Sequence, residues 1–394
     1  MTTTTPVVDL LDPAFYAENP HETYRWMRAN EPVYRDERNR VWGVTRHADV
    51  RDVELRSDVF VSGRGYRAVF MADETDMISL DDPRHRQQRR LVQAFFTPTA
   101  VKQHEARVQR IVNDLLDAVE DQGETEVVHD LAAQLPGRVV GELIGFGEDR
   151  WEDVKGWSER LMRIDMVERD QAAAYDFVGA SMEIARVVLN DLLPARRAEP
   201  RDDLISVWAN AEIDGRPLDP DTVFQEAGLF VAGGAETTRT VIAHGLRTMC
   251  DHPDDWERLA ADPGVVPTAV DELIRWVTPL NNFFRVANED TEIAGVAIAE
   301  GDRVALLYPS ANRDEAVFDD PYRFDIARDP NPHLAFGFGT HRCIGAHLAA
   351  LELRTLFGEM ARRFTNLTPV TEPDVEPNIF ARPVRSFRLA FDRR

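Results

Sequence analysis

From about residue 84 onward, apolar positions recur every three to four residues with polar ones between them, the spacing of helices that bury one face. This spacing predicts helices over roughly 84–96, 99–122, 137–146, 150–163, 170–194, 220–250, 253–261 and 266–278. Asp219-Pro220 and His252-Pro253 mark two of the starts, because proline's missing N–H is no loss in a first helical turn. Earlier in the chain, two β-prone runs, Val33–Tyr34 and Val41–Val44, flank a polar turn around Asp36–Arg40 and predict a hairpin. β-type patterning returns over 283–307, in Phe283–Val286 and Arg303–Leu307. Ser310 to Asn331 is polar and without period, and a last amphipathic run extends from about Gly345 to Phe364. The expected fold class is mainly α with small β-sheets built from strands distant in sequence. No Gly/Ser-rich or Pro-rich linker and no repeat divides residues 1–394, so a single domain is expected.

Charge and cysteine content narrow the function classes. Sixty-nine acidic and 46 basic residues give a formal net charge of −23, which disfavours nucleic acid or an anionic membrane as the main partner. The two cysteines, Cys250 and Cys343, suggest no disulfide framework and point to a reducing compartment. No apolar run approaches the ~20 residues that span a bilayer. The start, MTTTTPVVDLLDP, lacks a basic stretch followed by an apolar core. A cytoplasmic location without membrane anchor or secretory leader is therefore expected. Cys250 has no neighbours at ligand spacing and reads as structural.

Cys343 is different. It lies in Phe336-Gly337-Phe338-Gly339-Thr340-His341-Arg342-Cys343-Ile344-Gly345, with a glycine-punctuated turn before it and the amphipathic run after it. Glycine lets backbone bend close to a flat ligand, and a helix N-terminus behind the sulfur favours thiolate. A lone thiolate of this kind suits haem iron better than zinc. The run resembles the haem-binding loop of the cytochrome P450 family, matching it at Phe336, Gly337, Gly339, His341, Cys343 and Gly345. The resemblance covers essentially the whole chain. It implies the single-domain P450 fold, haem b as cofactor and Cys343 as the iron ligand.

Three further motifs agree with that resemblance. Gly233-Gly234-Ala235-Glu236-Thr237-Thr238 falls inside the long predicted helix, where each glycine costs on the order of 1 kcal/mol relative to alanine. Close approach of a ligand to the backbone is the usual compensation. Thr237 and Thr238 can bond to carbonyls one turn back and bend the helix. The resemblance places Gly233 and Gly234 over the haem, Thr237 beside dioxygen and Glu236 as its acid partner. Neighbours in a helix do not face each other, so proton delivery from Glu236 needs water or a rotamer change. Glu272-Leu273-Ile274-Arg275 puts two opposite charges on one helical face. The resemblance makes this pair buried, adds Arg328 to it, and gives the three a structural role in holding the haem loop. His85 and Arg89 also share a helical face. The resemblance implies that they partner the haem propionates, together with Arg285 and His341. Arg84, Arg86, Arg90 and Arg342 form a local basic cluster in an acidic chain, suited to steering an acidic electron donor.

The resemblance implies a haem-thiolate monooxygenase that uses dioxygen and two externally supplied electrons to oxidise a hydrophobic small molecule. A sterol, lipid or fatty acid, terpenoid or polyketide would suit. The chain carries no flavin or nicotinamide fingerprint, so a ferredoxin and its NAD(P)H-dependent reductase are the expected partners. The alternatives are a peroxide-driven peroxygenase and a non-catalytic haem gas sensor or carrier. Retention of Glu236 and Thr237 argues against both. The implied substrate pocket takes Val69, Phe70, Met71, Met77, Phe230, Leu280, Phe283, Ile379 and Phe380 as apolar lining, with Asn281 and Asn282 orienting one polar group. Tyr24-Arg25-Trp26-Met27-Arg28-Ala29-Asn30 and His333-Leu334-Ala335-Phe336-Gly337 look like actinobacterial members acting on sterol side chains and methyl-branched lipids.

Overall fold

The helical spacing over 220–250 folds as one long helix whose pitch changes in the middle. Pro220–Val231 and Thr237–Asp251 are α-helical, and Ala232–Glu236 between them forms a π-helical turn. The computed structural model describes residues 6–394. Pro220 opens this central helix behind an Asp219 side chain that accepts from the Asp221 N–H. Around it pack Gln134–Ile144, Trp151–Leu161 and Val266–Val277, which bury their apolar faces in one large core.

Pro253–Ala261 and Val266–Val277 lie where the periodicity puts them. Two longer expectations are interrupted. The 99–122 segment divides into Pro98–Lys102 and Glu105–Val119. The 170–194 segment runs as Gln171–Arg186, widens to a π-turn over Val187–Leu192, and continues as Leu193–Ala198. Pro194 lacks the N–H that would close the preceding turn, which accounts for the widening. Periodicity also missed His21–Asn30 and His47–Leu55. In the second of these the buried positions are His47, Val50, Val53 and Glu54, so half of the inward face is polar.

The hairpin of Val33–Asp36 and Val41–Val44 joins a five-stranded sheet, in the order Val33–Asp36, Val41–Val44, Arg303–Leu306, Phe283–Ala287, Phe60–Val61. Arg303–Leu306 runs parallel to Val41–Val44 and antiparallel to Phe283–Ala287. The C-terminal strands Phe364–Pro369 and Arg388–Arg393 form a second sheet with Glu124–Glu126.

The aperiodic stretch after Ser310 is held by a buried ion cluster. Glu272 and Arg275 are fully buried and joined by two 2.7 Å hydrogen bonds. Arg328 Nε donates to the same carboxylate at 3.1 Å, and the Asp325 N–H and Asn331 amide add bonds at 3.0 and 3.2 Å. Arg275 also donates to the carbonyls of Asn312 (2.9 Å) and Pro321 (3.0 Å). Asn312 accepts from the Leu334 N–H at 2.6 Å, just before the glycine-rich loop. Segments without regular structure are thus fixed by charge-assisted bonds. Replacing Arg275 by alanine removes two of these carbonyl contacts and half the compensation of Glu272. It should lower stability by about 3 kcal/mol or more, read as a fall in the urea midpoint; an unchanged midpoint would contradict this arrangement.

Candidate active site

The glycine-rich loop is shaped by contacts that exclude side chains. Gly337 and Gly339 have φ of +65° and +66°, and a Cβ on Gly339 would stand 2.5 Å from the carbonyl oxygen of Glu54. The end of helix His47–Leu55 therefore presses on the loop, and only glycine fits. Within the loop the Cys343 N–H donates to Phe336 O (2.8 Å) and the Gly337 N–H to Leu334 O (2.9 Å). Ala346–Arg363 then continues as an 18-residue helix.

Between this loop and the central helix lies a cavity. Phe336, Cys343, Gly233, Gly234 and Thr237 line it, with Arg89, Arg285 and His341. Cys343 is exposed only into this space. The helix N-terminus was expected to favour thiolate. Burial instead pushes the thiol up, against the opposing pull of the Gly345 N–H and of Arg89 and Arg342. A cation at the sulfur would restore the balance.

The two glycines separate in role. A Cβ on Gly233 would meet nothing within 4 Å, whereas on Gly234 it would meet Val140 Cγ2 at 2.7 Å. Gly233 opens the helix toward the cavity, and Gly234 admits the neighbouring helix. Both glycines line the cavity, and at Gly234 close packing of Val140 is a second reason for glycine. Thr237 Oγ1 donates to Gly233 O at 2.7 Å, inside the π-turn. Glu236 is 1% exposed and does not face the cavity. It pairs with Arg239 at 2.6 Å, and Arg239 in turn binds Glu159. Burial pushes the Glu236 carboxyl up, with Arg239 opposing.

At the basic rim, Arg89 donates to Arg342 O at 2.7 Å and His341 meets Ser62 Oγ at 3.3 Å. His85 lies behind His341, its ring 4.1 Å away, with Nδ1 3.5 Å from Asp82 Oδ1 and Nε2 without a hydrogen-bond partner. Burial holds both histidines below their ordinary pKa, with Arg89 adding to the effect at His85 and Arg285 at His341. Sequence reasoning missed Glu54, which lines the same cavity at 4% exposure and accepts from Tyr308 OH at 2.7 Å. Burial pushes its carboxyl up to about 7, with Arg285 opposing. A polar residue breaking the apolar face of a short helix was the available signal.

A second cavity abuts the first through Ile78, Leu229, Gly233, Leu280 and Phe283. Of the expected pocket residues, Met71, Leu280, Phe283 and Phe380 line this second cavity, and Met77, Phe230, Leu280 and Phe283 the first. Five others do not face either space. Asn281 donates to the carbonyls of Asn378, Ile379 and Ala381, and Asn282 to Ile379. These amides staple the strand to the 378–381 turn and are spent on backbone. Ile379 is buried among Tyr24 and Phe284, Phe70 is 56% exposed, and the Val69 N–H is tied to Asp165.

The comparisons with known proteins follow this geometry. The Cytochrome P450 family model matches residues 264–391. The chain is 40% identical to the steroid C26-monooxygenase of Mycobacterium tuberculosis, over 95% of this chain and 94% of that one. It is 35% identical to the methyl-branched lipid omega-hydroxylase of Mycobacterium bovis, over 84% and 79%. The chain belongs to the cytochrome P450 family. A Mycobacterium marinum P450 in complex with pseudoionone superimposes with a TM-score of 0.91 at 32% identity, covering 99% of this chain and all of the other. This P450 is accordingly a haem-thiolate monooxygenase acting on hydrophobic substrates, with haem b as cofactor and a redox partner supplying electrons. The residues present fit a haem. One thiol faces the cavity, Arg89, Arg285 and His341 stand in its wall, and no cluster of three His, Cys, Asp or Glu among the described residues would hold a bare metal ion. None of the described helices is long and apolar enough to cross a membrane.

Gly339→Ala should lose haem, because the added methyl clashes with Glu54 and the left-handed backbone costs about 1–2 kcal/mol. The ratio of Soret to protein absorbance reads this; a fully loaded variant would contradict the packing account.

Proposed function

We propose that this P450 hydroxylates the apolar end of an elongated hydrophobic molecule, of the sterol side-chain or methyl-branched lipid type. The observation that carries the reading is a second cavity adjoining the one that Cys343 lines. Cys343, Gly233 and Thr237 share one cavity, and its distal wall of Leu229, Leu280 and Phe283 is also the wall of the second. The names of the relatives, steroid C26-monooxygenase and methyl-branched lipid omega-hydroxylase, support the same substrate class.

Haem, when bound, would supply oxygen activation, and a thiolate ligand would favour O–O cleavage. Cys343 would provide that thiolate. Arg89, Arg285 and His341, with His85 behind His341, would hold the two propionates by charge and hydrogen bonds. Glu272, Arg275 and Arg328 fix the loop and take no part in the chemistry. Apolar side chains exclude water from the substrate end. Thr237 orients a proton at its hydroxyl, and Glu236 replenishes it. For that, the Glu236 carboxylate must leave Arg239 and swing toward the cavity. Glu159 and Lys155, which pair with each other at 2.7 Å, hold Arg239 on the far side.

Electrons come from a ferredoxin reduced by an NAD(P)H-dependent reductase. Arg84, Arg90 and Arg342 are exposed beside the Cys343 loop, and no ion pair occupies them among the described residues. Arg86 is less available, because it is paired to Asp82 at 2.5 Å. An acidic donor steered to this patch is reduced in rate by salt. The rate of ferric reduction by ferredoxin should therefore fall as ionic strength rises; a flat profile would remove the patch from docking.

Thr237→Ala should consume NAD(P)H at near-normal rate while product falls and hydrogen peroxide accumulates. Product formed in normal proportion to NAD(P)H would take Thr237 out of proton delivery.

A further inference from the structure

The second cavity is partly polar, although a hydrocarbon substrate would ask for nothing polar there. Tyr66, Arg67, Glu74, Asp76 and Gln225 line it together with apolar side chains that include Leu280 and Phe283. Arg67 is 9% exposed, stacks on the Phe380 ring at 4.3 Å, and pairs with fully buried Asp165 at 3.3 Å. Its Nε–H has no partner. A buried guanidinium N–H without a partner is an unfilled donor, and leaving it so is costly. Nearby, Tyr66 OH donates to Glu74 Oε1 at a long 3.4 Å, leaving the carboxylate lone pairs largely free. Asp76 is buried in the same wall and accepts from the N–H groups of Ile78 and Ser79.

We propose that Arg67 and Glu74 form a head-group site that accepts a neutral hydroxyl of the substrate and rejects a carboxylate. An alcohol satisfies both residues, accepting from Arg67 Nε–H and donating to Glu74. A carboxylate can accept from Arg67 but has nothing to donate. Arg67 is already neutralised by Asp165, so a second carboxylate meets the charges of Glu74 and Asp76 uncompensated. Burial, then Asp76, push the Glu74 carboxyl up to about 7, so above pH 7 the site carries its full repulsion. The substrate class narrows accordingly to long apolar alcohols, and free fatty acids are disfavoured. This inference rests on the preceding reading in one respect only, that the apolar end of the ligand points toward Cys343.

The experiment uses ferric holoprotein at pH 8 with 1-dodecanol and dodecanoate, matched in chain and different in head group. Binding is read by equilibrium dialysis of labelled ligand and, separately, by the Soret shift. Wild type should bind the alcohol roughly tenfold more tightly than the acid in dialysis. Glu74→Gln, isosteric and at a half-buried position, should bring the two within about threefold by improving the acid. Equal or tighter binding of dodecanoate by wild type, an unchanged ratio in E74Q, or no binding of either ligand would overturn the head-group site. Discrimination in dialysis without any Soret shift would keep the head-group site and overturn the orientation of the chain toward Cys343.

Discussion

The carboxylate of Glu272 sits at zero exposure and receives bonds from Arg275, Arg328, Asn331 and the Asp325 N–H. A charge buried this deeply is tolerable only while every partner stays in place. Those partners come from a helix and from one stretch, 325–331, with no regular structure of its own, so the charge defines the geometry of both. From Arg275 the constraint passes to the Asn312 carbonyl, from the Asn312 side chain to the Leu334 N–H, and through Leu334 O and Phe336 O to the turn that carries Cys343. The sulfur is therefore placed by a relay of backbone bonds that begins at an ion pair, not by packing alone.

The helix across the cavity is constrained differently. Its π-turn turns Gly233 and Thr237 to the haem side while Glu236 is held away by Arg239. Gly234 shows why the distortion sits where it does, since Val140 fills the place of its side chain. In the mechanism we propose, the release of Glu236 from Arg239 is a conformational step. That proposal sets two constraints on the site, a permanent one at Glu272 and one at Glu236 that opens.

Much of this was legible in the chain. Gly337, Gly339, Cys343 and the Glu272/Arg275 pair are legible through motifs that resemble the P450 family, whereas the spacing of the pair by itself shows only a shared helical face. The helices 253–261 and 266–277 announce themselves by spacing, because their apolar stripes are regular and their starts carry proline or a clear cap. What escaped was set by tertiary contact. Glu54 reads as an interruption of a short helix until Tyr308 and the Gly339 loop are seen against it. Asn281 and Asn282 have the polarity of a ligand anchor, and only the 378–381 carbonyls reveal that they are occupied. Arg67 and Glu74 sit in a segment with no periodicity, and meet only because the loop folds over the cavity.

We propose that Cys343, the one thiol among the residues lining the cavity between the glycine-rich loop and the central helix, ligates the haem iron. Reduced protein under carbon monoxide tests it most directly. The account predicts a strongly red-shifted Soret band for the native chain and its loss in a haem-loaded Cys343→His variant. A native complex without the red shift, or a variant that keeps it, would contradict the assignment.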